Sequence, residues 1–140
     1  MARLRLGGDD PRPVHERART GEPVRHASVL VVDDDAAIAR LVRLALRASG
    51  FDAITAANGV EALNRIEDRD IDLIVLDLEM PVMGGREFYR RLRARGTQVP
   101  VVILSAYGAE RARVELGADA VVQNPFEPSE LVAVVGRLLA

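Results

Sequence analysis

The feature of this sequence that most constrains its fold is a regular alternation of short apolar runs with longer amphipathic segments, repeated five times after Ser28. The apolar runs cover 29–32, 51–56, 71–76, 99–104 and 120–123, and they are typical of strands buried on both faces. The segments between them place apolar residues at helical spacing. Such alternation with short connections predicts a parallel sheet covered by helices on both sides.

The helical segments carry start and stop signals. The first begins near residue 36 and is closed by Gly50, and the others are expected at 59–69, 85–95, 109–116 and 129–139. Gly96 and Gly117 end the third and fourth helices, and Ser129 is the expected N-cap of the last. Five βα units predict an α/β, flavodoxin-like doubly wound (βα)5 fold, with a five-stranded parallel sheet in the order 2-1-3-4-5.

Composition divides the chain into residues 1–27 and a domain at residues 28–140. The first part is rich in Arg, Pro and Gly without an apolar period, which predicts a flexible N-terminal tail, with a short basic docking peptide as the alternative. The absence of cysteine excludes disulfides, thiolate metal sites and cysteine nucleophiles. Because the net charge is −2 and the apolar runs are short, we expect a cytoplasmic protein that binds neither nucleic acid nor membrane.

Polar side chains suited to chemistry lie at the carboxyl ends of the predicted strands. Asp33 and Asp34 follow the first strand, Asp77 the third, Ser105 the fourth and Asn124 the fifth. In a doubly wound fold these ends meet at the edge of the sheet where ligands bind. Three carboxylates placed together repel one another unless a proton or cation intervenes, and Mg²⁺ accepts carboxylate, carbonyl and water oxygens. This pattern predicts an acidic Mg²⁺ site.

Acidic residues at strand ends also occur as solvated turns or helix caps, and Asp35 is expected to cap the helix that follows it. The combined motifs favour a site. The stretches VLVVDDDAAI, IDLIVLDLEMPVMGG, VPVVILSA and GADAVVQNPF resemble the receiver domain of bacterial response regulators. The resemblance covers residues 28–140, and its most specific element is Asp77 with Met80 and Pro81 after a buried strand.

The resemblance implies a two-component signalling role. Asp77 would accept a phosphoryl group from a sensor histidine kinase or phosphotransfer protein in a Mg²⁺-dependent reaction, forming an acyl phosphate. Asp34 would ligate Mg²⁺ directly and Asp33 largely through water, while Glu79 would offer its backbone carbonyl. Ser105 would hydrogen-bond a phosphoryl oxygen. The domain is then a phosphoacceptor switch that assists its own phosphoryl transfer and hydrolysis, rather than an enzyme.

Three positions depart from the family pattern. Asn124 stands where the family has lysine, and this chain contains no lysine. Losing a charge-assisted hydrogen bond predicts a deficit of about 1–2 kcal/mol, or roughly tenfold in rate or coupling. Neutral drift is the alternative for Asn124, and its bond to Pro125 is expected to be cis, as in the family. Val121 replaces the aromatic residue often found on the fifth strand, and Gly84 replaces a usual acid.

Signal output is expected through protein contacts. Because the sequence ends one helix after the last predicted strand, we expect either a single-domain regulator that works by protein–protein contact or part of a longer protein. The last helix has more apolar residues than one buried stripe needs, which predicts contact with a downstream protein target or a homodimer through the last two helices and the fifth strand. Glu79 and Tyr107 occupy positions that tune dephosphorylation in the family.

Three other functions compete with this interpretation. The main alternative is a pseudo-receiver, a docking or dimerisation module that is never phosphorylated, which the departures at Asn124, Val121 and Gly84 favour. An Asp-nucleophile phosphatase is disfavoured because such enzymes carry a D-x-D motif after the first strand and use a downstream lysine. This chain has three consecutive aspartates there and no lysine. An FMN-binding protein is disfavoured because consecutive aspartates would repel the phosphate.

Overall fold

A computed structural model describes residues 26–106 and 108–140. Almost all of the predicted tail, and Tyr107, therefore lie outside the described residues. The strands are β1 (Ser28–Val32), β2 (Asp52–Ala56), β3 (Leu73–Asp77), β4 (Val101–Ser105) and β5 (Ala120–Gln123). The helices are α1 (Ala36–Ala48), α2 (Gly59–Asp68), α3 (Gly85–Ala94), α4 (Ala109–Leu116) and α5 (Pro128–Leu138).

The five strands form one parallel sheet in the order β2-β1-β3-β4-β5, which confirms the predicted flavodoxin-like α/β fold. The chain first moves outward from β1 to β2 and then crosses to β3 on the other side of β1. This reversal of strand order lies between β1 and β3. In doubly wound folds such a reversal opens a crevice beyond the carboxyl ends of the two strands.

Helices cover both faces of the sheet. On one face α1 and α5 pack over a core that includes Val29, Val31 and Leu46. On the other face α2, α3 and α4 pack over a core that includes Leu30, Phe88 and Ile103. Consecutive residues of β1 therefore enter opposite cores, which explains why its apolar run is continuous.

The helix ends agree with most of the predicted signals. Gly50, Gly96 and Gly117 all have positive φ after their helices, as expected of left-handed helix ends. The prediction that Ser129 caps α5 is wrong: the helix begins at Pro128 and Glu127 occupies the N-cap position. Proline at the first helical position has its φ already fixed in the helical range, so the helix starts before the serine.

The strands β3 and β4 begin two residues later than predicted and include one more residue at the carboxyl end. Asp77 and Ser105 are therefore the last residues of their strands rather than the first residues of loops. Within the described residues no helix is both long enough and apolar enough to cross a membrane.

Candidate functional site

Sheet register brings two of the predicted acidic residues side by side. Val32 of β1 is paired with Leu76 of β3, so the next residues along the two strands, Asp33 and Asp77, reach the same level. The N–H of Asp33 donates to the carbonyl oxygen of Ala56 at 3.0 Å, which holds the end of β1 against β2. The site is therefore built at the point where the strand order reverses.

Three carboxylates meet at this edge. Asp33, Asp34 and Asp77 each offer a carboxylate oxygen, and these oxygens all lie within 4.8 Å of one another. Asp33 is buried at 5% exposure, Asp77 is half-buried and Asp34 is exposed. A cluster of hard oxygen donors that opens to solvent on one side fits Mg²⁺, which keeps several of its waters when it binds protein carboxylates.

Hydrogen bonds from the backbone orient the buried carboxylate. The N–H of Asp35 donates to Asp33 Oδ1 at 2.9 Å. The side chain of Asp35 turns away from this cluster and accepts from the N–H groups of Ala37 and Ile38, at 3.0 and 3.2 Å. Asp35 is therefore the N-cap of α1, as predicted. In the DDD motif, Asp33 and Asp34 therefore belong to the acidic cluster, and Asp35 caps the helix.

The pKa values reflect the crowding of these acids. Burial, together with the neighbouring charges of Asp33 and Asp34, raises the pKa of Asp77 to about 7, although the N–H of Glu79 acts in the opposite direction. Burial also raises the pKa of Asp33. The carboxyl groups of Asp33 and Asp77 interact directly, so ionisation of one disfavours ionisation of the other, and a cation bound among the three carboxylates would relieve this repulsion.

The loop after β3 approaches the helix that follows it very closely. The N–H of Glu79 donates to Asp77 Oδ1 at 3.1 Å, and the N–H of Gly85 donates to the carbonyl oxygen of Leu78 at 3.2 Å. A Cβ at Gly85 would lie 2.5 Å from the carbonyl oxygen of Asp77, so only glycine fits there. Two consecutive glycines after a buried strand are a usable signal of this requirement, which was not among the predictions.

The loop also contains a strained residue that sequence reasoning did not identify. Val82 has a φ of +69° and is 82% exposed. A β-branched residue in the left-handed region is an outlier, because its Cβ crowds the backbone. Nothing in the local sequence signals this strain. In the motif MPVMGG the glycines, which would tolerate a positive φ, stand two and three positions after Val82.

Ser105 and Asn124 lie together at the neighbouring strand ends. Ser105 is buried, and its carbonyl oxygen accepts from the N–H of Asn124 at 3.0 Å. The bond between Asn124 and Pro125 is cis, which confirms that prediction. Asp77 is paired with Leu104 in the sheet, so Ser105 follows directly beyond the level of Asp77. These residues therefore share the edge that carries the acidic cluster.

The remaining departures have visible structural settings. Val121 is half-buried on β5 and packs against the core on the side of α2, α3 and α4. Gly84 occupies the N-cap position of α3, where it provides no side-chain hydrogen bond. Val132, Val134, Leu138 and Leu139 are partly buried against the protein's own core. Most of the surplus apolar surface predicted for α5 is therefore covered within the chain.

Comparisons with known proteins agree with this geometry. The model of the response regulator receiver domain family matches residues 29–136. The alkaline phosphatase synthesis transcriptional regulatory protein PhoP of Bacillus subtilis is 41% identical over 114 residues, covering 79% of this chain and 48% of PhoP. The transcriptional regulatory protein PrrA of Mycobacterium tuberculosis is 45% identical over 114 residues, covering 79% of this chain and 49% of PrrA. The chain thus spans about half the length of these curated relatives.

Solved structures show the same architecture. The chemotaxis protein CheY4 of Vibrio cholerae superposes with a TM-score of 0.75 at 31% identity, covering 81% of this chain and 99% of CheY4. The receiver domain of the Francisella response regulator 1452 also gives a TM-score of 0.75, at 34% identity, covering 81% of this chain and 96% of that domain. With the sheet order and the acidic cluster, these matches show that the chain belongs to the response regulator receiver domain family.

Proposed function

We propose that this chain is a phosphoacceptor switch in two-component signalling, in which Asp77 accepts a phosphoryl group in a Mg²⁺-dependent reaction. The observation that carries the proposal is the convergence of the carboxylates of Asp33, Asp34 and Asp77 within 4.8 Å at the open edge of the sheet. A carboxylate is a nucleophile suited to forming a labile acyl phosphate, which can later be hydrolysed to end the signal.

Each residue of the site has a defined task in this proposal. Asp33, Asp34, Asp77 and the backbone carbonyl of Glu79 would hold Mg²⁺. The bound ion would neutralise charge on the carboxylates and on the incoming phosphoryl group. An oxygen of Asp77 attacks phosphorus while the bond from phosphorus to the donor nitrogen breaks. The hydroxyl of Ser105 then hydrogen-bonds a phosphoryl oxygen, and the neutral amide of Asn124 supplies a weaker contact than lysine would.

The pseudo-receiver alternative is less well supported. Three carboxylates at this distance repel one another and destabilise the fold. A module that only docks a partner would gain nothing from holding them together. The departure at Asn124 weakens phosphoryl binding without removing the nucleophile or the acidic pair. Binding of beryllofluoride in the presence of Mg²⁺ would separate the two functions, since a pseudo-receiver would not bind this phosphoryl mimic.

The direct test is phosphorylation followed by intact mass. We expect the full chain, incubated with acetyl phosphate and Mg²⁺, to gain the mass of one phosphoryl group, and the gain to disappear on addition of EDTA. The Asp77→Asn variant is the matched control, because it keeps the shape of the side chain and removes the nucleophile. Equal labelling of the wild type and of this variant would exclude Asp77 as the acceptor.

We infer that a histidine kinase or phosphotransfer protein contacts α1 during the transfer. This helix begins two residues after Asp34, and its side chains Leu41 and Leu44 are 49% and 50% exposed. A phosphodonor protein must approach Asp77 from the same edge, so these leucines are available to its surface. The variant Leu41→Glu/Leu44→Glu should lose phosphorylation by a kinase and keep phosphorylation by acetyl phosphate, which needs no protein contact. Equal loss with both donors would contradict this contact.

We also propose that the phosphorylated chain acts through protein contacts made by α4, β5 and α5, with a downstream target or a second copy. On α4 the side chain of Val114 is 66% exposed, and it is the most exposed large apolar residue on this face among those described. Sedimentation velocity with and without beryllofluoride would detect a homodimer. We expect Val114→Glu to prevent association, and an unchanged association constant would exclude this surface.

A further inference from the structure

The loop at residues 78–84, which joins β3 to α3, is held firmly at its first half. The N–H of Gly85 donates to the carbonyl oxygen of Leu78 at 3.2 Å, and the N–H of Glu79 donates to Asp77 Oδ1 at 3.1 Å. The position of this loop therefore determines where the carbonyl of Glu79 and the carboxylate of Asp77 lie relative to each other. Anything that displaces the loop should disturb both proposed metal ligands.

A second anchor holds the far half of the loop against α2. The N–H of Gly59, the first residue of α2, donates to the carbonyl oxygen of Met83 at 3.1 Å. The side chain of Met83 is buried and belongs to the core beneath α2 and α3. The start of α2 is itself fixed, because Asn58 Oδ1 accepts from the N–H of Glu61 at 2.9 Å. The loop is thus attached to a helix end that is itself capped by a side-chain hydrogen bond.

Space, rather than backbone conformation, requires glycine at position 59. Gly59 is not among the described glycines with positive φ. A Cβ there would lie 2.7 Å from Cγ and Sδ of Met83 and 2.9 Å from its Cβ. Rotation of the Met83 side chain could relieve the first two contacts. It could not relieve the third, because Cβ moves only with the backbone, so a larger residue at position 59 must push the loop and the start of α2 apart.

We propose that Gly59 is a positioning residue for Mg²⁺ binding, which it serves by seating Met83 so that the loop at residues 78–84 presents its ligands correctly. The inference rests on the proposed function of the acidic site, since it concerns the affinity of that site for the ion. Gly59 does not itself contact the ion. Its effect is transmitted through the hydrogen bond and the close packing between α2 and Met83.

The test compares Mg²⁺ affinity with stability in the same variants. Mg²⁺ is titrated into the full chain by isothermal titration calorimetry, and unfolding is measured by urea denaturation in EDTA. We expect Gly59→Ala to weaken Mg²⁺ binding about tenfold, as residues that support metal ligands typically do. Leu63→Ala is the matched control: it lies on the same helix and in the same core, so it should lower stability while Mg²⁺ affinity stays at the wild-type value.

A double-mutant cycle protects the test against a variant that does not fold. Met83→Ala should also weaken Mg²⁺ binding several-fold because the loop loses its buried anchor, and Gly59→Ala should cost less in that background than in the wild type. Unchanged affinity in Met83→Ala, or equal affinity in Gly59→Ala and Leu63→Ala, would overturn the positioning role and leave the metal site standing. A wild-type chain that binds no Mg²⁺ would overturn the metal site together with this inference.

Discussion

At position 124 an amide stands beside Ser105, where the resemblance to receiver domains implies a lysine whose charge would contact the phosphoryl group. The backbone placement of Asn124 is intact, including its cis bond to Pro125, so a lysine introduced here should reach the same edge of the sheet. The residue change therefore isolates one quantity, the charge that the site offers to the phosphoryl group. Substitutions at position 124 can therefore measure how much the missing charge lowers the rate of phosphorylation.

We expect Asn124→Lys to increase the rate of phosphorylation by acetyl phosphate about tenfold, because a charge-assisted hydrogen bond stabilises by about 1–2 kcal/mol more than a neutral one. The rate is measured by intact mass against time at saturating Mg²⁺. Asn124→Gln is the control, since it keeps the amide and adds length without charge, and its rate should stay near that of the wild type. An equal gain in both variants would show that side-chain length, rather than charge, is limiting.

Val82, in the loop that follows β3, stores strain at φ +69° with 82% of its surface exposed. Replacing it with glycine removes a penalty of about 1–2 kcal/mol and adds unfolded-state entropy of about 0.5–1 kcal/mol. We therefore expect Val82→Gly to raise the free energy of unfolding by about 0.5–1 kcal/mol, measured by urea denaturation. Val82→Ala, which keeps the Cβ, should gain less. A loss of stability in the glycine variant would contradict the strained conformation.

Between elements, Arg93 of α3 fixes the connection to β4. Its Nη1 donates to the carbonyl oxygens of Thr97 and Val99 at 3.0 and 2.8 Å, and its guanidinium lies 4.8 Å from the centre of the Tyr89 ring. The side chain is also 3.8 Å from Asp119, which in turn accepts from the N–H at the start of β4. Arg93 thereby connects α3 with the loop before β4 and with Asp119, the residue that precedes β5.

Removing this arginine should cost more than removing an exposed one from the same helix. We expect Arg93→Ala to lower the free energy of unfolding by about 2 kcal/mol, from charged hydrogen bonds and a cation–π contact that are only partly screened by solvent. Arg90→Ala, on the exposed face of α3, should change stability by about 0.5 kcal/mol or less. Similar losses for the two variants, measured by thermal and urea denaturation, would show that Arg93 has no special role.

The elements that sequence predicts well are those set by local pattern. Continuous apolar runs predicted the five strands, because residues buried on both faces of a sheet are rarely polar, and the alternation of strands with helices predicted their order through the doubly wound fold. Asp35 was predictable as a cap and Gly50 as a helix end, since both depend on neighbours within a few residues. The start of α5 was predicted wrongly because two local signals compete there. Ser129 is a good N-cap residue and Pro128 a good first helical residue, and the helix begins at Pro128.

Features that depend on packing between distant segments could not be predicted. The close approach of Gly59 to Met83 joins residues that are 24 apart in sequence, and nothing near either position signals it. The strained φ of Val82 follows from the closure of a loop whose two ends are fixed by β3 and α3. The acidic cluster was predictable in its membership, because strand ends meet at one edge, but the raised pKa of Asp77 depends on burial that only the fold determines.

For the whole molecule, the raised pKa of Asp77 links stability to pH. The carboxyl is protonated in both the folded and unfolded states well below its ordinary pKa of 3.8. As pH rises from there to about 7, the unfolded chain releases this proton while the folded chain retains it, so folding loses stability over that window. The acidic site therefore makes the metal-free domain less stable at neutral pH, and bound Mg²⁺ should remove the penalty.

Mg²⁺ stabilisation should therefore be stronger at pH 8 than at pH 6. At pH 6 the ion must displace the proton held by Asp77, so its affinity should be about tenfold lower than at pH 8. With Mg²⁺ in excess this removes about 1.4 kcal/mol of linkage stabilisation. The increase in Tm on adding Mg²⁺ should then be roughly 3–5 °C smaller at pH 6, measured by thermal denaturation against EDTA. The Asp77→Asn variant has no proton at this position to displace, so its increase in Tm on adding Mg²⁺ should be smaller and nearly the same at both pH values. If the increase in Tm of the wild type were also the same at both pH values, the coupling between Mg²⁺ binding and the proton on Asp77 would be contradicted.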